Sequence, residues 1–213
     1  MPDGTTALAD QFEDLEQQRE ASTLGMWTFL ATEVIFFGCL FLGYIVYRHL
    51  YPAAFAAASQ HTLLTFGTIN TAVLLTSSLT MALAVHAIQR DHHRQAARFL
   101  MVTVSLGCAF LVLKGFEYHG DLADHLWPGP HFTSELPKQA RIFWFLYWVM
   151  TGLHALHVTV GVGLLSVMSW LTHRGRFSVR YYRPIEVSGL YWHFVDIVWI
   201  FLYPLLYLIS SRS

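Results

Sequence analysis

Glu33 is the residue of this sequence whose type and position most need a chemical explanation. It stands inside LGMWTFLATEVIFFGCLFLGYIVYR, residues 24–48. That apolar run holds about 24 helical residues, which reach roughly 36 Å and so cross a bilayer. At 1.5 Å of rise per residue the carboxyl lies about 14 Å from the Leu24 end, near mid-membrane. An ionisable group there is expensive and marks a functional or packing site. At helical spacing its face carries Met26, Leu30, Phe37, Leu40 and Tyr44. Glu33 therefore meets protein neighbours or a wet cleft, or it stays protonated.

Three further pairs carry chemistry of the same kind. In KGFEY, Lys114 and Glu117 are one turn apart and can pair near a membrane edge. In TGLHALHVTVG, His154 and His157 share a helix face with Tyr147, Met150 and Gly161. Two membrane histidines invite haem or a metal ion. A bis-histidine haem, however, needs ligands on opposite faces of the porphyrin, and one helical turn cannot supply them. A metal ion would require a third convergent ligand. Interhelical hydrogen bonding is the favoured role. In EVSGLYWHFVDIVWIFLY, residues Glu186, Gly189, His193, Asp196, Ile200 and Tyr203 fall on one stripe. His193 can bond Asp196 one turn on, either as a fragment of a proton relay or interface lock or as a structural polar pair. No phosphate-binding loop, dinucleotide fingerprint, GxSxG, HExxH or CxxC occurs. A redox centre held by this chain alone is not expected: no catalytic residue, cofactor ligand or metal ligand is assigned.

The elements that must position these residues are membrane helices. Hydrophobic residues make up 54 % of the 213 and charged ones 13 %, with mean hydropathy +0.42. That composition belongs to a polytopic membrane protein with short loops. The formal charge of −1 excludes the basic signature of a nucleic-acid binder. Cys39 and Cys108 lie within apolar runs and indicate neither disulfides nor compartment. The expected fold is all-α, a bundle of five transmembrane helices at about 24–47, 63–86, 96–118, 141–171 and 184–209. Residues 1–23 read as a polar, mostly acidic cytoplasmic tail, or as a short surface helix on the spacing of Phe12, Leu15 and Arg19. The five-span membrane domain takes up 24–213.

Finer patterning predicts how the spans pack. Span 2 is rich in small polar groups (Thr68, Asn70, Thr71, Thr76, Ser77, Ser78, Thr80), which favour a tight bundle. In span 4, Thr151, Ala155, Thr159 and Gly163 form a small-residue stripe that lets another helix approach closely. Pro204 is expected to kink the end of span 5. Eight of the thirteen Lys and Arg residues fall in the N-terminal segment, the 2–3 loop and the 4–5 loop. By the positive-inside rule that side is cytoplasmic and the C-terminus is outside.

Taken together, GMWTFLATEVIFFGCLF, KGFEY, TGLHALHVTVG and YWHFVDIVWIFLY resemble subunit III of the haem–copper oxidases. The likeness is to the cytochrome c oxidase form, in a five-helix bacterial version, and covers all five spans in order. It implies an accessory, cofactor-free subunit packed on catalytic subunit I, with subunit II in the same complex. Haems and copper would reside in those partners, which reduce oxygen and pump protons in a respiratory membrane. Such a subunit supports sustained turnover and proton uptake and binds phospholipid between its helices. It would be a multi-pass protein of the bacterial inner membrane. By motif, Glu33 matches that family's intramembrane glutamate and Glu117 the acid of its span 3 motif. His154 and His157 match the paired histidines, and His193 and Asp196 the terminal motif. The fuller form has two further N-terminal spans that enclose a lipid-filled cleft, so a similar cleft here requires another chain to supply them. The stretch FAAASQHTLLTFGTINTAVLLTSS also resembles the related accessory protein of nitric oxide reductase complexes, which is the main alternative. A haem-binding membrane redox protein is a more distant one.

Overall fold

A computed structural model describes residues 15–130, 132, 135–177 and 181–208. Its elements are all helices: α1 (Leu15–Leu50), α2 (Pro52–Ser59), α3 (Leu64–Gln89), α4 (His93–Ala123), α5 (Ala140–His173) and α6 (Arg183–Tyr207). Five of them are long and apolar enough to cross a membrane, so the protein is an all-α polytopic bundle. α1 begins at Leu15, within the stretch expected to be a polar tail. Residues 1–14, with Phe12 of the suggested surface helix, lie outside the described residues, as do Arg180 and the last residue expected in span 5.

α3, α4, α5 and α6 pack in cyclic order, and α1 lies outside that ring against α5 and α6. The face of α1 named from the sequence is the face it buries: Leu30, Phe37 and Tyr44 are in the core, with Met26 and Leu40 packed on it. The sequence reading did not resolve α2, which starts at Pro52, a residue suited to a first helical turn. Its Phe55 sits edge-on to Tyr44 and Phe143, with ring centroids 5.4 and 5.6 Å away. α2 thus closes one end of the bundle between α1 and α5.

Three helices stop in the same way. At the ends of α3, α4 and α5, the residues Asp91, His125 and Gly175 adopt positive φ of 62°, 55° and 71°. The next amide in each case reaches back to a carbonyl of the last turn: His92 to Ala87, Leu126 to Asp121 and Arg176 to Leu171, at 3.0, 2.9 and 3.1 Å. This is the Schellman arrangement, which satisfies carbonyls that the helix end leaves free. α6 ends differently. It continues through Pro204 to Tyr207, where Tyr44 Oη donates to Leu205 O at 2.5 Å; Thr62 Oγ1, which donates to Ser59 O at 2.7 Å, lies 3.4 Å from Leu206 O.

The small polar groups of α3 pack the bundle as their composition suggests. Trp199 Nε1 donates to Thr71 Oγ1 (3.0 Å) and Trp192 Nε1 to Ser77 Oγ (3.1 Å). Thr68 pairs with Tyr203 Oη, and Thr80 with Thr103 of α4, both at 2.8 Å. Within this chain the small-residue stripe of α5 is buried only at its Thr151 end. Thr159 and Gly163 are exposed, and nothing in the chain lies within 4 Å of a Cβ built at Gly163. Close approach occurs one face over, at Gly161 of α5 and Gly107 of α4, which hold the Trp192 ring between them. An added Cβ would lie 2.8 Å from that ring at Gly161 and 2.7 Å at Gly107.

Candidate functional site

The intramembrane polar residues separate into three clusters, each defined by the helices that meet there. On the rim of the bundle, Glu33 of α1 faces His157 of α5, with Oε2 3.2 Å from Nε2. The His157 ring is fixed from the other side, where Nδ1 donates to the Leu153 carbonyl at 2.8 Å, and Phe37 stands edge-on to it. A carbonyl only accepts, so Nδ1 carries a hydrogen; any hydrogen on Nε2 is therefore a second one. The pair is about one-sixth exposed on both sides (18 % for Glu33, 16 % for His157). Its position is at the membrane-facing surface of α1, not in the bundle interior.

His154 goes elsewhere. It is buried in the ring of α4, α5 and α6, edge-on to Phe110 at 5.5 Å and tilted against Trp199 at 5.2 Å. Neither of its ring nitrogens has a hydrogen-bond partner. The two histidines on one face of the helical wheel are thus divided between two environments, because α5 is contacted by α1 on one flank and by α4 and α6 on the other. Among the described residues no group of three or more His, Cys, Asp or Glu side chains is placed to hold a metal ion.

The α6 pair is a correction. His193 does not bond Asp196; its Nδ1 lies 2.7 Å from Ser78 Oγ of α3. Ser78 stands beside Asp196 as well, but neither carboxyl oxygen of Asp196 meets hydrogen-bond geometry. The neighbouring helix supplies a hydroxyl at shorter reach than the next turn of α6 does. Spacing along one helix could not reveal Ser78, although the polar richness of span 2 was a signal for it.

The third cluster is the largest. Lys114 and Glu117 of α4 pair at 3.0 Å, as their spacing predicts, and both are buried. Lys114 Nζ also donates to Tyr147 Oη of α5 (3.0 Å) and Tyr207 Oη of α6 (2.7 Å). Both hydroxyls reach Glu117 Oε1, from Tyr207 at 2.6 Å and from Tyr147 at 2.8 Å. Tyr147 Oη is also 2.9 Å from Asp121 Oδ2. The ammonium lies over the Tyr147 and Tyr118 rings, 4.7 and 5.0 Å from their centroids, and so exchanges water for π-faces as well as oxygens. Asp121 and Tyr207 were not singled out from the sequence. Lys114, Glu117 and Asp121 do recur at one-turn and two-turn spacing, which would have identified Asp121 had α4 been extended beyond Tyr118.

These clusters lie between the five membrane helices, and the whole is a packed, polytopic helical membrane protein. Residues 14–211 match the family described as cytochrome c oxidase subunit III. Proteins named cytochrome c oxidase subunit 3 are similar over most of the chain. That of Thermostichus vulcanus is 30 % identical over 188 residues, covering 88 % of this chain and 87 % of the relative. That of Synechocystis is 31 % identical over 186 residues, covering 87 % and 74 %. That of Alkalihalophilus pseudofirmus is 30 % identical over 187 residues, covering 88 % and 86 %. The chain belongs to the cytochrome c oxidase subunit III family. It is a multi-pass membrane subunit of a multisubunit haem–copper oxidase complex.

Proposed function

We propose that this chain packs directly on oxidase subunit I, stabilises it and supports proton uptake, while the oxygen chemistry runs on haems and copper held by subunits I and II. Phospholipid fills the gaps at its membrane-facing surface. Its N-terminus and the α3–α4 and α5–α6 connections face the cytoplasm. The observation that carries this reading is the Glu33–His157 contact. The carboxyl lies 3.2 Å from a side chain of its own subunit, without hydrogen-bond geometry to it, and is still partly open at the rim, where a neighbouring helix or lipid meets it. A group so placed acts on the assembly and its proton supply, not on a bound substrate. His154, His157, His193 and Asp196 have roles in packing this subunit. Glu33→Gln is the test. The purified complex should retain its initial rate of oxygen reduction but lose subunit association or activity over many turnovers. Loss of the initial rate with assembly intact would overturn the reading. Mass spectrometry of chains copurified in mild detergent should find subunits I and II; a nitric oxide reductase partner without a copper-binding subunit would assign the chain to that complex instead.

A further inference from the structure

Among the described residues, the Lys114 cluster contains six donor–acceptor contacts and only five hydrogens to fill them. Three hydrogens come from the ammonium, which points at Glu117 Oε2, Tyr147 Oη and Tyr207 Oη. Tyr207 spends its one hydrogen on Glu117 Oε1 at 2.6 Å. Tyr147 also has one, yet its hydroxyl lies 2.8 Å from Glu117 Oε1 and 2.9 Å from Asp121 Oδ2. With both carboxyls ionised, one of those contacts sets oxygen lone pairs against a carboxylate. A neutral Lys114 would remove another hydrogen and leave a second such contact.

Charge leads to the same count. One ammonium faces two carboxyl groups, and Lys114, Glu117 and Asp121 are 1 %, 1 % and 4 % exposed. Among the described residues no second cation is paired with them. α5 adds Tyr147 and the His154 ring, which is packed between Phe110 and Trp199; α6 adds Tyr207, and the titratable residue of α3, His86, lies at its opposite end. On α4 itself Tyr118 donates to Thr151 (2.8 Å), and Asp124, beyond the helix end, adds only negative charge. A buried net charge of this kind is disfavoured unless something neutralises it.

We propose that this cluster is a proton-binding site, distinct from the Glu33–His157 pair, which holds one proton on Asp121. Asp121 then donates to Tyr147 Oη and Tyr147 donates to Glu117 Oε1, so every contact has one hydrogen. The proton can pass to Glu117 without a free ion: Tyr147 takes the Asp121 proton as it gives its own to Glu117, and the reverse shift restores it. The ammonium beside Glu117 favours the form with the proton on Asp121. Asp121 lies in the last turn of α4, next to the α4–α5 connection, which is where the proton enters and leaves. The site does not depend on which partners the subunit has.

Infrared spectroscopy of the full-length chain in lipid nanodiscs, with aspartate labelled at its side-chain carboxyl carbon by ¹³C, tests this directly. At neutral pH the wild type should show a protonated-acid C=O band that shifts with the label. Asp121→Asn should abolish that component, since its amide donates to Tyr147 in place of the acid. Asp196→Asn, which removes the other buried aspartate of the described helices, should retain it. A label-sensitive acid band that survives Asp121→Asn unchanged, or its absence in Asp196→Asn, would overturn the proposal. The Asp196→Asn measurement alone decides the matter if Asp121→Asn does not fold.

Discussion

Lys114 is the residue whose replacement should tell most about what holds the bundle together. Its ammonium is the hub for Glu117, Tyr147 and Tyr207. Lys114→Met keeps most of the volume and removes the charge, which strands buried acceptors from three helices. Breaking a buried ion pair by removing one partner typically costs about 3–5 kcal/mol, so the thermal midpoint in detergent should fall steeply. Lys114→Met combined with Glu117→Leu and Asp121→Leu should recover much of that loss, since a matched apolar set needs no counter-charge. A triple variant no more stable than Lys114→Met would show that the pair's worth lies in its own attraction. Tyr207→Phe removes one hydroxyl that both accepts and donates, and a cost of about 1–3 kcal/mol is expected. The pair itself was legible in KGFEY, because one helix fixes the spacing of Lys114 and Glu117. Tyr207 lies 93 residues away from Lys114, and only the folding of α6 against α4 brings it there. The same reason hid Ser78 from His193, and it makes the one-helix prediction of a His193–Asp196 bond fail.

At the scale of elements, helix identity and extent follow from apolar length, whereas helix contacts depend on which small residue meets which large one. The five apolar runs all fall on helices of the bundle, and the buried face of α1 was readable from its heptad-like spacing. The contact face of α5 was not, since small residues favour the Thr151–Gly163 stripe, whereas the buried Gly161 face also carries Tyr147, Met150 and His154. What decides between them is Trp192, whose ring needs two missing Cβ atoms, at Gly107 and Gly161. Gly107→Ala should therefore destabilise by about 1–3 kcal/mol, the usual cost of overpacking, despite alanine's better helix propensity. Gly163→Ala should be neutral or slightly stabilising, as a Cβ there meets nothing in this chain. Thermal unfolding of the two variants side by side separates the faces. If Gly163→Ala instead weakened copurification of subunit I while leaving the isolated chain unchanged, the exposed stripe would be the contact with the partner.

For the whole molecule the charge distribution carries a prediction of which way the bundle faces. The α3–α4 connection and the start of α4 carry Arg90, Arg94 and Arg98, and the α5–α6 region carries Arg174, Arg176 and Arg183, all at one end of the antiparallel ring. The opposite end has the α4–α5 connection with Lys138 and Arg141, together with Asp121 and Asp124. Short basic loops resist translocation, so the arginine-rich end should remain in the cytoplasm. The proton-binding cluster then sits towards the outer face, and the Glu33–His157 pair nearer mid-membrane. Single cysteines introduced at His92 and at Lys138, both exposed, in a background lacking Cys39 and Cys108, read this out. In right-side-out membrane vesicles a membrane-impermeant maleimide should modify Lys138→Cys and leave His92→Cys unmodified until the membrane is opened. The reverse pattern would invert the bundle and place the buried Lys114 cluster at the cytoplasmic face, where protons are taken up. The same two variants therefore establish both the topology of the subunit and the side of the membrane from which Asp121 exchanges its proton.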